Sequence, residues 1–225
     1  MVLVKRILLT VCVVSAVLAA ASAVLYPMYY FNLLPCKIYS AKDFGIDTVK
    51  SLNDADNDGI DDYTDLMLSA REYLGLKPEY KFEFYDSGYP PEGVGMGADL
   101  IWKAFEGAGY PLKEMIDKDI AENPGAYPAV NGKPDPNVDF RRVRNLLVFF
   151  KRKAKSLTLD PYQIEQWQPG DIVVFDGDIA IVSDKRGKSG IPYILHLSPR
   201  PKREEDALLL NEILGHFRWE GILEG

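Results

Sequence analysis

PEGVGMGADLIWKAF, residues 91–105, places three glycines within five positions and then begins a helical pattern. Gly93, Gly95 and Gly97 leave the backbone bare immediately before that helix. A helix start presents unpaired N–H groups and the positive end of the helix dipole, which suit a phosphate or a reactive side chain. Here glycine and alanine occupy the first positions. The turn therefore has the form of a functional site without the side chain that would act in it.

The residues around this turn predict helices first and an antiparallel sheet afterwards. The helix that follows the turn carries an apolar stripe at helical spacing, formed by Leu100, Ile101, Ala104, Phe105 and Ala108. Helices are predicted over residues 62–74, 98–108, 112–122 and 141–155. Apolar, β-rich runs separated by short turns predict strands at 172–175, 179–184, 192–197 and 213–219. This order is typical of the α+β class.

The charge and the composition exclude several functions. The net charge is -7, so the surface is acidic and argues against a nucleic-acid partner. Two cysteines, Cys12 and Cys36, provide neither a disulfide framework nor a metal-binding pair. Two histidines are too few for a histidine-rich metal site. The helix at 141–155 is basic, and a solvated helix face explains its charge better than a membrane surface does.

The N-terminus carries an apolar run that predicts a membrane segment. Residues 7–26 contain no charged side chain, and their length spans a bilayer core as a helix. Lys5 and Arg6 precede the run, which places the N-terminus in the cytoplasm by the positive-inside rule. The alternative is a signal peptide cleaved near Ala23. Because apolar residues continue through Phe31, the sequence favours a single-pass anchor, and either reading places the rest of the chain outside the cytoplasm.

An acidic segment follows, DADNDGIDDYTD at residues 54–65. Its oxygen-bearing residues have the spacing of a calcium-binding loop, with Gly59 at the sharp turn. The predicted ligands are Asp54, Asp56, Asp58, the carbonyl of Ile60, Asp62 and Asp65. Asp65 is shorter than the glutamate usual at the last position, and a solvated acidic turn that caps the next helix is the alternative. Calcium is the one cofactor that the sequence predicts.

Taken together, several long segments resemble the bacterial family called domain of unknown function 1287. They are DNDGIDDYTD (56–65), GYPPEGVG (88–95), ADLIWKAFEGAGYPLKEMIDKDI (98–120), KPDPNVDFRRVRNL (133–146), WQPGDIVVF (167–175) and IAIVSDKR (179–186). The order of these segments is similar to that of papain-like, NlpC-type cell-wall peptidases. The resemblance implies a papain-like α+β fold behind an N-terminal transmembrane helix.

The resemblance also implies a catalytic site that has lost two of its three residues. The family pattern at the helix start is Gly-Val-Cys-Thr-Asp, whereas residues 95–99 read Gly-Met-Gly-Ala-Asp. The nucleophile position is therefore Gly97, and the position of the base histidine carries Asp178. Only the third position, His196, matches. Glycine supplies no nucleophile, and Asp178 has no thiol to activate, so the resemblance implies a catalytically inactive relative.

The sequence thus predicts a membrane-anchored extracytoplasmic domain that binds cell-wall peptide or another envelope protein. The cleft implied by the resemblance is lined by Asp99, Trp102, Asp178 and His196. Two alternatives stay open: an active hydrolase that uses Asp99, Asp178 and His196 without a cysteine, and a calcium-stabilised structural module. The expected organisation is an anchor at 1–31, a linker at 32–53, the acidic loop at 54–65 and a papain-like domain at 66–221.

Overall fold

The computed structural model describes residues 2–31 and 33–221, and the chain separates into two compact units, Met1–Cys36 and Lys37–Gly225. The first unit contains one long helix, α1 (Val2–Tyr30). Within its segment from Val4 to Tyr30, the most apolar window of 18 residues has a mean hydropathy of 2.6, and none of that window is buried. A helix of this length and composition can cross a membrane, and a signal sequence has the same features.

The second unit contains the four predicted helices, each close to its expected bounds. They are α2 (Asp62–Gly75), α3 (Gly97–Gly107), α4 (Leu112–Glu122) and α5 (Val143–Lys153). The predicted start of α5 was two residues early. Arg141 lies instead in a short 3-10 turn, Asp139–Arg141, which buries its guanidinium group before the helix begins.

The sheet confirms the α+β class and the antiparallel arrangement. A parallel pair, β1 (Glu79–Tyr80) and β2 (Val94–Gly95), precedes it. The main sheet has six antiparallel strands in the order β3-β8-β4-β5-β6-β7. These are β3 (Lys155–Ser156), β4 (Ile172–Phe175), β5 (Ile179–Arg186), β6 (Pro192–Leu195), β7 (Glu204–Glu205) and β8 (Ile213–Arg218). The four longer strands were predicted. The two-residue strands are too short to show an alternating pattern.

Both faces of the central strands are buried, so the sheet separates two apolar clusters. Ile172, Ile179 and Ile181 face the helices, where they join the stripe of α3. Val173 and Val182 face the other side and pack with Trp167. Burying a side chain of this size contributes roughly 1.5–3 kcal/mol. The stripe therefore fixes α3 on the sheet and brings its first residue to the beginning of β5.

Basic side chains at the end of α5 form ion pairs with a residue of α4. Arg152 Nε lies 2.7 Å and Lys153 Nζ 3.1 Å from the carboxylate of Asp119, a buried residue of α4. Burial raises the pKa of Asp119, but hydrogen bonds from Arg152, Tyr127 and Lys153 outweigh it and lower this pKa to about 2. These two cations therefore hold α4 and α5 together.

The segment that was expected to be a linker is folded onto the second unit from residue 39 onward. Tyr39 pairs with Arg186 at the end of β5 through two backbone hydrogen bonds. A 3-10 turn follows at Ala41–Phe44, and the N–H of Val49 donates to the side chain of Gln168 over 3.1 Å. These contacts fix the path of the chain from residue 39 towards the acidic loop.

Candidate functional site

The glycines before α3 are explained by conformation at one position and by space at the next. Gly93 has φ +76, a left-handed conformation that glycine adopts without strain. A Cβ at Gly95 would collide with the hydroxyl of Tyr73. The segment from Glu79 to Lys81 pairs with this turn through backbone hydrogen bonds to Gly93 and Gly95. The turn is thus fixed from two sides before the helix begins.

Asp99 holds the start of α3 through a buried ion pair. Its Oδ2 accepts the N–H of Met96 over 2.8 Å, which caps the helix. Arg141 donates Nε and Nη2 to the two carboxylate oxygens over 2.7 and 2.8 Å, and donates Nη1 to the carbonyl of Glu83. Neither side chain of the pair is exposed to solvent. Asp99 was predicted to line a cleft, and its contacts here connect the turn to the loop at residue 83.

Gly97 and Asp178 lie face to face. A Cβ at position 97 would lie 2.5 Å from Oδ1 of Asp178 and 3.0 Å from the carbonyl oxygen of Ile179. Gly97 is the first residue of α3 and does not have a positive φ, so its backbone conformation suits any residue. Space, not strain, therefore requires glycine here: the carboxylate of Asp178 occupies the volume into which a side chain at 97 would extend.

Asp178 is half-buried just before β5, and burial raises the pKa of its carboxyl group. The N–H of Ile179 donates to Oδ1 over 2.8 Å, and the positive charge that His196 can carry is nearby; both lower this pKa and offset part of the rise. Burial raises the pKa of Tyr80, and the negative charge of Asp178 raises it further. Strand β1 therefore brings Tyr80 close to the same carboxylate.

His196 follows β6 directly and is buried. The antiparallel register of β5 and β6 pairs Val182 with Ile194, and two residues further it sets Ala180 opposite His196. Asp178 lies two residues before Ala180, so it is diagonally across from His196, at about 7–8 Å. Glu205 lies 3.1 Å from Nε2 of His196, and the hydroxyl of Ser198 lies 2.9 Å from Nδ1. Since the carboxylate accepts, Nε2 carries the proton; Nδ1 accepts from Ser198 in the neutral ring and donates to it in the protonated ring. Both ring nitrogens are thus engaged by neighbours other than Asp178.

Trp102 lies apart from Gly97 and Asp178, in a groove between α2 and α3. Its ring is 4.7 Å from that of Tyr89, and the ammonium group of Lys103 lies 4.1 Å from its centre. The groove has a volume of about 520 Å³, and the turn before α3 forms one wall. Its apolar surface is provided by Tyr73, Leu76, Pro90, Pro91, Val94 and Trp102, and its charged lining residues are Glu72, Glu92, Lys103 and Glu106.

The acidic loop precedes α2, and the structure brings together only part of the predicted ligand set. One oxygen each of Asp54, Asp56 and Asp58 lies within 4.8 Å of the other two. Asp62 turns inward instead. It is fully buried, and its oxygens accept the N–H of Ala55 over 2.9 Å and the hydroxyl of Tyr110 over 2.5 Å. In this arrangement Asp62 anchors the loop to the turn between α3 and α4.

A second buried polar cluster was not predicted from the sequence. Asp171 accepts two hydrogen bonds from Arg218, each 2.7 Å long, and lies 3.0 Å from Nε2 of His216. Trp167 stacks on the imidazole with 3.6 Å between ring centres. The recognisable signal was an aspartate directly before β4 and a His-x-Arg pair in β8, whose side chains face the same side of the sheet.

The fold and the site together define an α+β domain built on a six-stranded antiparallel sheet, with a glycine at the helix start and a carboxylate opposite it. The sequence profile of the family described as "Domain of unknown function (DUF1287)" matches residues 67–219, and the chain belongs to this family. It is also similar to the "Uncharacterized protein YijF" of Escherichia coli (strain K12), with 31% identity over 163 residues, 67% of this chain and 78% of the relative. No solved structure gives a significant match.

The buried pair of Asp99 and Arg141 gives a testable prediction. Asp99→Asn leaves the guanidinium charge buried without its counter-ion, so we expect a loss of about 3–5 kcal/mol in the free energy of unfolding, measured by urea denaturation. The double variant Asp99→Asn, Arg141→Met removes both charges and should recover part of this loss. A cost below about 1 kcal/mol for the single variant would contradict the role of this ion pair in the turn.

Proposed function

We propose that the chain is a single-pass membrane protein whose second unit lies outside the cytoplasm. The long apolar helix α1 supports an anchor, and Lys5 and Arg6 near its beginning support a cytoplasmic N-terminus. The helix continues without a break through the small residues around Ala23 to Tyr30. This continuity favours an anchor over a cleaved signal peptide.

The location is tested by fractionation and protease access. The full-length chain is expected in the membrane fraction, with its C-terminal unit digested by protease added to spheroplasts. Recovery of a soluble chain that begins near Val24 would identify a cleaved signal peptide instead.

We further propose that the second unit is a papain-like, NlpC-type domain that has lost catalysis. The observation that carries this proposal is the juxtaposition of positions 97 and 178. In a cysteine peptidase the nucleophile begins a helix and the base lies opposite it, at the start of a strand. Position 97 begins α3, and Asp178 contacts it from the start of β5. His196, directly after the neighbouring strand β6, is the residue that we assign to the third position.

Three features support the loss of activity. Gly97 provides no nucleophile, and the carboxylate of Asp178 already fills the adjacent space. The ring nitrogens of His196 lie at hydrogen-bond distance from Ser198 and Glu205, so they are engaged by neighbours other than positions 97 and 178. The charge of Asp99 is neutralised by Arg141, so a hydrolase that uses Asp99, Asp178 and His196 would first have to break a buried ion pair.

The retained activity that we propose is binding of cell-wall peptide. The groove at Trp102 supports it, because aromatic and proline surfaces lie next to both acidic and basic side chains. A peptide with ionised carboxyl and amino groups matches this mixture of apolar surface and charge. The turn before α3 connects the groove to the site at Gly97, so a peptide in the groove would lie near the former catalytic position.

Turnover and binding are tested separately with peptidoglycan stem peptides and the full-length chain in detergent. We expect binding by calorimetry without hydrolysis by product analysis. Trp102→Ala should weaken binding at least about tenfold, since buried aromatic anchors dominate such sites. The matched control is Tyr162→Ala, which removes an exposed aromatic residue outside the groove. Hydrolysis by the unaltered chain would refute the inactive state, and equal affinities of the two variants would refute the groove.

The facing positions are tested by restoring the missing pair. Gly97→Cys with Asp178→His is introduced together with Cys12→Ser and Cys36→Ser, so that one thiol remains. A helix N-terminus and an adjacent imidazolium both lower the pKa of a thiol. Alkylation near neutral pH should therefore be roughly tenfold faster or more than in Gly97→Cys alone, where the nearby carboxylate disfavours the thiolate.

The control for this experiment is Gly97→Cys with Asp178→Asn, which removes the carboxylate without supplying an imidazole. Its alkylation rate should lie between those of the other two variants. Equal rates in the asparagine and histidine variants would show that position 178 does not act on a thiol at position 97. That result would contradict the papain-like arrangement and leave peptide binding to be judged by its own experiment.

A further inference from the structure

The acidic loop before α2 concentrates negative charge without a neutralising cation. Asp54, Asp56 and Asp58 are exposed, and one carboxylate oxygen of each lies within 4.8 Å of the others. Within residues 33–221, no Lys or Arg nitrogen lies within 4.0 Å of these carboxylates. Such a cluster alone is compatible with an ordinary acidic surface. The side chain below it is what distinguishes this loop.

Asp65, in the first turn of α2, is buried beneath the loop. Only 5% of the residue is exposed, and its Oδ2 has no hydrogen-bond partner. Burial raises its pKa to about 6, together with the charges of Asp58, Asp56 and Asp54, in that order. The buried carboxylate therefore lies within range of the negative charges of the three exposed ones. A buried, unpartnered carboxylate oxygen next to a cluster of like charges is unfavourable unless a cation or a proton neutralises it.

The backbone of the loop turns so that its oxygens converge. Both carboxylate oxygens of Asp54 accept backbone hydrogen bonds, from the N–H of Asp58 over 3.1 Å and from that of Gly59 over 2.9 Å. Gly59 has φ +94, which allows the sharp change of direction. Beyond it, the carbonyl of Ile60 falls at the seventh position counted from Asp54.

We propose that Asp54, Asp56, Asp58, the carbonyl of Ile60 and Asp65 bind one calcium ion. Five oxygen ligands of this kind suit a hard cation, and calcium accepts the irregular geometry that a loop and a helix provide together. Asp62 is excluded from the ligands by its bonds to Ala55 and Tyr110, so water would complete the coordination at the ninth position. Magnesium is disfavoured because it demands near-ideal octahedral geometry.

Calcium at this site would stabilise the packing of the helices. It would join the exposed loop to the buried first turn of α2. The loop also packs against the end of α3, where a Cβ at Gly109 would lie 3.0 Å from the backbone nitrogen of Asp56. Asn53, just before the loop, donates to the carbonyl of Glu220 over 2.9 Å. Ordering the loop would therefore stabilise a junction of α2, α3 and the C-terminal segment.

The experiment is a calcium titration of the full-length chain in detergent after removal of divalent ions with a chelator. Extracellular calcium modules have dissociation constants of about 0.1–1 mM, so the titration extends to about 10 mM. We expect one bound ion per chain by calorimetry and a rise in the melting temperature. At free calcium a hundredfold above its dissociation constant, the ratio of folded to unfolded chain rises about a hundredfold, or about 2.7 kcal/mol. An equal response to magnesium, or no response to calcium, would overturn the proposal.

The decisive variant is Asp65→Asn. It should weaken calcium binding at least about tenfold, while the melting temperature without calcium stays equal or rises, because a buried repulsive charge is removed. Asp56→Asn tests an exposed ligand whose replacement leaves the packing unchanged, and the same weakening is expected. The matched control is Asp61→Asn, an equal change of charge in the same segment at a residue whose oxygens bond Ser51 and Thr64. Equal losses in all three variants would indicate charge screening only and refute the site.

Discussion

The bidentate contact between Asp99 and Arg141 is the interaction on which the centre of the domain depends. The same carboxylate caps α3 at Met96, and the same guanidinium group holds the loop at Glu83. Both charges are fully buried, so each is tolerated only in the presence of the other. The glycine turn, the beginning of α3 and the strand pair β1–β2 are consequently held in one arrangement, whatever residue begins the helix.

This constraint explains how position 97 can change without loss of the fold. The helix start is fixed by Asp99, two residues later, and requires nothing of the side chain at 97 itself. A side chain at position 97 would instead affect Asp178, because a Cβ at position 97 would lie 2.5 Å from Oδ1 of Asp178. A larger residue at 97 would require the side chain of Asp178 to move away. The two positions are therefore coupled through space, although they lie 81 positions apart in the chain.

The sequence predicted the elements with strong periodicity and missed contacts that only the folded chain creates. The stripe of α3 and the four longer strands were predictable, because burial on one or both faces leaves a regular pattern. The burial of Asp99 and Arg141 was not, since 42 residues separate the partners and each alone resembles a surface charge. Asp62 fits the spacing of a calcium ligand, yet Tyr110 draws it inward. Spacing fixes the order of the oxygens along the chain and not the direction in which each side chain points.

The second buried network gives a structural role to one segment within the region that the family profile matches. In WQPGDIVVF, Trp167 stacks on His216, and Asp171 binds both His216 and Arg218. These contacts join β4 to β8 and cover the face of the sheet opposite α3. None of them involves position 97 or 178. A change at position 97 or 178 would therefore leave this segment, and with it the sheet, in place, because the charges that join β4 to β8 are separate from the residues at the start of α3.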